Sequence, residues 1–256
     1  MAPRIGIERR PIDLFNGNTR FASLNVYDAQ AGVDVGSQFG KYGELRFGMM
    51  RGNLHYNVDT GQTVLPQAGV NIGKGGFTGH LYLDQLDSWN FPRDGYGGNL
   101  TLLASRQSLG AQDDYNRWSA DFVSAHSVGR HTLLLGVRAG GAIGRNPLPI
   151  YDQFQFGGLQ QLSGYRTGQF FGESVQFASL TYMNKLANAP FLEGAYAGFS
   201  LEAGKVGHQL IGGSPGGVVK SMSVFVALDS PLGPLYLAYG RALDGNSSYY
   251  LFLGRP

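Results

Sequence analysis

Apolar and polar residues alternate along most of the chain, and turn signals separate the alternating stretches. From residue 195 to 204 the odd positions are Ala, Phe or Leu, whereas the even positions include Ser200 and Glu202. Because successive side chains of a strand point to opposite faces, such a stretch has one apolar and one polar face. The pattern predicts an all-β antiparallel fold of about fourteen strands, about nine before and five after a long irregular stretch at 141–172. Separate strands are expected at 22–26 and 31–35, and again at 68–72 and 77–83.

A strand with one apolar and one polar face fits two environments: a protein core with water outside, or lipid outside with water inside. Glycine favours the second, since it makes up 40 of 256 residues and repeatedly interrupts the polar faces. Glycine weakens an exposed soluble strand, but inside a tilted barrel it lets strands coil and leaves room for an inserted loop. The sequence therefore predicts a transmembrane β-barrel with a polar lumen, and a soluble barrel stays as an alternative.

Other bulk features agree with this interpretation. Only 15% of residues are charged and the net charge is +2, which gives no argument for nucleic acid as a partner. Cysteine is absent, so no disulfide closes the fold. No run of apolar residues is long enough for a transmembrane helix. Aromatic residues, among them Trp89 and Phe91, gather near predicted strand ends, where interfacial girdles are found.

The segment from Phe156 to Gly168, with the sequence FGGLQQLSGYRTG, is the most informative motif. It lies in the longest predicted loop, and long ordered loops are usually functional. The segment resembles the inward-folded sixth loop of the outer-membrane protein 85 superfamily, which carries F-x-G-G followed by R-G-[FY]. The resemblance implies a loop folded into the lumen through Gly157, Gly158, Ser163, Gly164, Tyr165 and Arg166.

Two further motifs follow in the order that the superfamily has them. Residues 199–206 resemble its F-x-x-[DE]-x-G-x-V strand, which implies that Glu202 and Gly204 lie on the wall facing the loop. Residues 229–240 resemble its D-x-P-x-G-P…Y-G hairpin. The hairpin motif is carried by Asp229, Pro231, Gly233 and Gly240.

The loop motif departs from the superfamily at its tip. Ser163 stands where the family has an arginine that pairs with an acid on the wall, and the L-S-G-Y sequence around it resembles the patatin-like branch. Arg166, three residues further on, is expected to replace that arginine and to pair with Glu202. The alternative is that both are independent charges facing water.

The resemblance also indicates how much of the family's barrel the chain contains. Family barrels have about sixteen strands, so we expect residues 1–256 to be one outer-membrane barrel domain that lacks the first two strands and all upstream soluble domains. Met1 to Gly6 contain no apolar segment of the kind that a secretory signal needs. We therefore expect the chain to be a fragment, with any signal upstream of residue 1.

The function implied by the resemblance is that of a translocator and anchor in the bacterial outer membrane. Its expected partners are the lipid bilayer, the barrel-assembly machinery and its own N-terminal passenger, a patatin-like lipase. Three alternatives stay open: part of a patatin-like phospholipase or hydrolase, a passive porin, and a barrel-assembly factor. Self-association into a homodimer is also left open.

No residue pattern in the chain favours catalysis. Ser214 lies in a G-x-S-x-G sequence, but a nucleophile elbow needs a helix directly after the serine, and Pro-Gly-Gly follows here. The five histidines lack the spacing of metal ligands. We therefore expect the chain to be no enzyme and to need no metal or other cofactor.

Overall fold

The computed structural model describes residues 2–61, 69–186, 194–209, 216–254 and 256. Within these ranges thirteen strands form one antiparallel sheet, which confirms the all-β prediction. The strands are β1 (Ala2–Asn16), β2 (Thr19–Gln38), β3 (Gly43–Gly61), β4 (Asn71–Asp84), β5 (Gly95–Ser105), β6 (Tyr115–Val128), β7 (His131–Ala142), β8 (Phe154–Phe156), β9 (Phe170–Lys185), β10 (Ala195–Gln209), β11 (Val219–Ser230), β12 (Gly233–Ala242) and β13 (Ser247–Leu253). The described residues contain no helix with the length and hydropathy needed to cross a membrane.

Twelve of the strands follow one another as neighbours, and only the short β8 branches off, by pairing with the start of β9. We call the edge where β1 begins and β13 ends the terminal edge, and the other the opposite edge. The sheet curls so far that Asn18, between β1 and β2, donates a hydrogen bond to Asn246, between β12 and β13. In the described residues no ladder joins β1 to β13.

The two faces of the curled sheet carry opposite chemistry. On β11 the side chains of Met222, Val224 and Val226 are exposed, whereas those of Ser221 and Ser223 are buried. Inward ion pairs join Lys74 to Asp28, Arg138 to Asp121 and Arg46 to Glu44. A soluble domain buries its apolar face. This sheet exposes it, as expected for a barrel surrounded by lipid.

Thirteen strands are described where about fourteen were predicted: two pairs of predicted strands are single strands, and the short β8 lies in the stretch predicted to be irregular. Residues 22–26 and 31–35 both belong to β2, and the described part of 68–72 leads into β4 together with 77–83. Along β2 the apolar residues change face: Leu24 and Val26 are buried inside, but Val33 and Val35 are exposed outside. In the sequence, this change of face has the same pattern as a break between two strands.

The change of face has a structural cause. The first three strands have 15, 20 and 19 residues, whereas a tilted strand crosses a bilayer in about 9–11. Toward the opposite edge β1–β4 turn their apolar residues inward and form a cluster with Ile150 and Tyr151. These strands therefore extend beyond the apolar belt and build a small core of their own.

Connections differ in length between the two edges, but short and long connections occur at both. The short turns at 129–130 and 231–232 lie at the terminal edge, and the long segment 143–169 lies at the opposite edge. However, the opposite edge also has the two-residue turn at 17–18, and the terminal edge has a ten-residue segment, Gln85–Asp94.

Candidate functional site: a loop docked inside the barrel

The segment at 143–169, which we call the plug loop, crosses the lumen from one wall to the other. Near its start Ile150 and Tyr151 pack against the inner cluster of β1–β4. Phe154 and Phe156 of β8 then join a second cluster with residues of β6, β9, β10 and β11. The tip, residues 162–165, is buried against the inner wall of β10–β13.

The backbone of the loop tip turns through several left-handed residues. Gly157 and Gly158 have φ angles of 119° and 118°, which side-chain-bearing residues rarely adopt. Gln160 and Leu162 also have positive φ, although neither is glycine. Leu162 is held there because its side chain is buried in the cluster of the lumen. The two glycines therefore allow a loop backbone that other residues would rarely adopt.

Ser163 and Glu202 make the central contact between the tip and the wall. The Ser163 backbone N–H donates to Glu202 Oε2 at 2.5 Å, and its hydroxyl donates to Oε1 at 2.6 Å. Glu202 is 4% exposed, and its Oε1 also accepts from the Ser200 hydroxyl. Ser200 in turn is 2.7 Å from the Ser223 hydroxyl on β11. A buried carboxylate needs such donors because its desolvation is costly.

Two glycines bring the backbones of tip and wall into contact. A Cβ on Gly164 of the loop would overlap the backbone of Ala242, and a Cβ on Gly240 of β12 would overlap the carbonyl of Ser163. The Gly164 N–H donates to the Ser221 hydroxyl at 2.6 Å. Neither glycine has a positive φ, so closeness of approach, not backbone conformation, requires the missing side chain. Gly204 is less crowded, since a Cβ added there would lie 3.5 Å from the Leu162 side chain.

Tyr165 fixes the far side of the tip. Its hydroxyl donates to Asp244 between β12 and β13, and the Tyr250 hydroxyl donates to the Ser163 carbonyl at 3.0 Å. Burial, reinforced by the Asp244 carboxylate, raises the pKa of Tyr165, so its hydroxyl keeps the proton that it donates. Burial works to raise the pKa of Asp244, but the hydrogen bonds from Tyr165 and Asn246 outweigh it and lower that pKa.

On the other wall, Gln161 accepts a hydrogen bond of 2.9 Å from Arg138 of β7, whose side chain also pairs with Asp121 of β6. Arg166, by contrast, is exposed, and its bonds among the described residues are made by its backbone: its N–H donates to Gln169 Oε1 at 2.9 Å, and its carbonyl accepts from the Gln169 N–H at 3.1 Å. The expected pair between Arg166 and Glu202 is therefore wrong. Ser163 occupies the carboxylate itself, and the chain beyond Tyr165 turns away from the wall.

The hairpin motif is divided between two places. Gly240 lies under the loop tip. Asp229, Pro231 and Gly233 lie at the terminal edge, where Gly233 takes a φ of 109° in the turn and Asp229 accepts a hydrogen bond of 2.9 Å from Asn90. Sequence reasoning missed Ser221 and Tyr250, which bond to the loop, and Ser223, which bonds to Ser200 on the wall behind it.

The remaining candidates considered from the sequence are Ser214 and the five histidines. Ser214 lies outside the described residues. Within the described ranges no three His, Asp or Glu side chains are grouped as a metal site would require. The polar groups described at the loop tip hold the plug loop against the wall.

Comparison with known proteins relates the whole barrel to one family. The family model described as the Omp85 superfamily domain matches residues 11–250. A curated protein of Nitratidesulfovibrio vulgaris, the "Outer membrane protein assembly factor BamA", is 22% identical over 91% of this chain. The chain spans 32% of the length of that relative.

Solved structures show the same fold. BamA from Haemophilus ducreyi lacking POTRA domains 1–3 superimposes with a TM-score of 0.71 and 13% identity, over 98% of this chain and 57% of that one. CdiB from Acinetobacter baumannii superimposes with a TM-score of 0.58 and 12% identity, over 90% of this chain and 41% of that one.

Proposed function

The chain belongs to the Omp85 superfamily, and we propose that it is the translocator and anchor of a passenger domain N-terminal to it. The barrel lies in the bacterial outer membrane, in agreement with its exposed apolar face. As the passenger we propose a patatin-like lipase, because the L-S-G-Y sequence around Ser163 resembles that branch of the superfamily. Residues 1–256 would form one barrel domain of the longer protein.

The docked loop tip is the observation that carries this proposal. The plug loop lies across the lumen between the Arg138 and Glu202 walls, where it is held by hydrogen bonds and by a buried apolar cluster. A passive porin needs an open lumen. A translocator needs a lumen that is closed at rest and opened for one client. In this proposal the tip residues and the Glu202 wall are the elements that hold the closed state.

The test is export of a passenger fused ahead of residue 1. The fusion carries a signal peptide and a patatin-like lipase domain, is expressed in a Gram-negative host, and is assayed by protease digestion of the passenger on intact cells. We expect passenger at the surface or tightly bound to the outer membrane. The matched control carries the same passenger without the barrel and should stay soluble in the periplasm. A correctly folded barrel whose passenger behaves like that control would refute the proposal.

A barrel-assembly factor is the second candidate, because the relative from Nitratidesulfovibrio vulgaris is named an outer membrane protein assembly factor. The same purified barrel in liposomes should then accelerate folding of an unfolded outer-membrane protein. Acceleration without passenger export favours this candidate over the translocator. A lipase assay on residues 1–256 alone decides the hydrolase alternative, since we expect the chain to lack that activity.

Two partners remain predictions. Insertion by the barrel-assembly machinery predicts loss of the mature barrel when that machinery is depleted. Chemical cross-linking in membranes decides whether two copies associate, because a homodimer would give a band at twice the mass of 27.6 kDa.

A further inference from the structure

A second segment enters the lumen, this time from the terminal edge. Gln85–Asp94, which we call the lid segment, connects β4 to β5. It does not turn back beside its own strands. Instead, Phe91 packs against Tyr196 of β10 and Tyr236 of β12, on the far side of the barrel in the strand order. The segment therefore crosses the mouth of the barrel.

Phe91 sits in an aromatic slot on the inner wall. Its ring stacks on Tyr196 with centroids 4.4 Å apart and planes at 15°, and its centroid is 5.7 Å from that of Tyr236. Phe225 completes the slot by packing edge-on against Tyr236. Phe91 is 2% exposed, so this end of the segment is as buried as a core residue. The expectation that Phe91 lies in an interfacial girdle is wrong, because its ring faces the lumen.

Hydrogen bonds give the lid segment a fixed shape. The Asp87 carboxylate accepts the backbone N–H groups of Arg93 and Asp94, at 2.8 and 3.1 Å. Beside the slot, Asn90 donates to Asp229 at 2.9 Å. At its other end the Arg93 carbonyl accepts from the Ser127 hydroxyl at 2.7 Å. The segment is thus pre-shaped and fastened on both walls.

The lid segment meets the plug loop inside the barrel. Leu159 of the plug loop belongs to the same buried cluster as Phe91. Between the two segments lies a cavity of about 450 Å³ whose lining includes Trp89, Gln161 and Arg138. The lumen is therefore closed from the opposite edge by the plug loop and from the terminal edge by the lid segment.

We propose that Gln85–Asp94 is a lid over the terminal mouth of the barrel, with Phe91 as its latch in the Tyr196–Phe225–Tyr236 slot. Release of Phe91 opens the route from the terminal edge into the cavity while the plug loop stays docked. A large, rigid ring in a matched slot gives a latch that is closed or open, with little in between. The lid serves a translocator and an assembly factor equally, so the proposal goes beyond the proposed function and does not depend on it.

The first experiment measures access to the cavity. The chain has no cysteine, so Asn99→Cys, on the cavity wall, introduces a single thiol. The reconstituted barrel is treated from the terminal side with maleimides of increasing polymer size. Phe91→Ala is expected to raise the modification rate with large reagents about tenfold and to leave the rate with the smallest reagent within about twofold, since about 1.4 kcal/mol of lost latch contact corresponds to a factor of ten. Phe91→Tyr, which keeps the ring, should stay near the parent rate.

The control variant is Tyr42→Ala, which removes an exposed aromatic ring from the neighbouring connection at the same edge. It should leave all modification rates unchanged. Equal rates for the parent and a folded Phe91→Ala barrel, with large reagents, would overturn the lid.

A second experiment does not need Phe91 to be changed. Asn90→Cys with Asp229→Cys places two thiols where two side chains are already hydrogen-bonded, and oxidation locks the lid. In planar bilayers, and in a background where the plug loop is deleted so that it no longer closes the lumen, we expect the oxidised pair to show lower conductance than the same protein after reduction, and the difference to be reversible. Identical conductance in both redox states of a cross-linked barrel would also overturn the proposal.

Discussion

Ser163 gives both its backbone N–H and its hydroxyl to the two oxygens of Glu202, at 2.5 and 2.6 Å. A neutral residue therefore makes the contact for which the sequence suggested an arginine. The pair joins the plug loop to β10, and among the described residues Glu202 forms no ion pair with a cation. It follows that the loop is held by directional hydrogen bonds more than by charge attraction, and that its docking is insensitive to salt.

Substitution of Glu202 tests this contact directly. Glu202→Ala removes the acceptor and leaves the buried Ser163 donors unsatisfied, which costs about 1–3 kcal/mol. We expect faster cleavage of the plug loop by proteinase K in detergent micelles, with an intermediate effect for Glu202→Gln. Arg166→Ala is the matched control, and its cleavage rate should equal that of the parent. Faster cleavage of the Arg166 variant alone would contradict the Ser163 contact and restore the pair with Glu202.

The close approach of Gly164 and Gly240 predicts that either position rejects a methyl group. Gly240→Ala forces the Ser163 carbonyl away from β12, and overpacking of this kind costs about 1–3 kcal/mol. We expect a loop that is undocked but a barrel that still folds, observed as rapid loop proteolysis with unchanged heat-modifiable migration on gels.

Gly216→Ala is the control for this prediction. Gly216 has nothing within 4 Å of an added Cβ, so its variant should match the parent in loop cleavage. Equal protection of the Gly240→Ala loop would show that the tip does not lie against β12.

The acid–base properties of Asp244 predict a pH dependence of the loop anchor. Its folded pKa is lowered, so its contribution is fully present above the ordinary Asp pKa of about 3.9 and is lost as the pH falls further, through the folded pKa. Loop cleavage by an acid-active protease should therefore accelerate at the low end of this window. Tyr165→Phe removes the hydrogen bond that lowers the pKa, and should flatten the profile. If the cleavage rates of both proteins depend on pH in the same way, the pH effect does not arise from Asp244.

Alternation along the sequence predicted the faces of the strands well, because burial against water or lipid acts on every second residue. It predicted strand ends poorly where the environment changes along one strand. In β2 the apolar side moves from Val26 inside to Val33 outside, and a period of two cannot distinguish this from a turn. The structure shows that the strand continues, because β2 pairs with β3 without interruption over that stretch.

Contacts between distant segments could not be read from spacing. The motif identified Ser163 and Glu202 as members of one site, but it assigned the charge contact to Arg166, since residue type suggested a cation. Nothing in the sequence indicated the lid segment. Aromatic residues such as Trp89 and Phe91 are found both in interfacial girdles and inside barrels. Only the path of the backbone shows that Phe91 crosses the mouth.

The exposed apolar face leads to the most general prediction. Val224 lies near the middle of β11, points outward and is 58% exposed. In lipid, Val224→Arg at that depth costs about 2–4 kcal/mol, whereas the cost near the interface falls to about 0–1 kcal/mol. In a soluble barrel the same substitution would add a charge to a water-exposed surface and change stability by less than about 0.5 kcal/mol.

Val218→Arg, on the same face just before the strand, is the positional control. We expect urea titration of folding into liposomes to show a large loss for Val224→Arg and a small one for Val218→Arg. Equal, small losses at both positions would mean that water, not lipid, surrounds the apolar face.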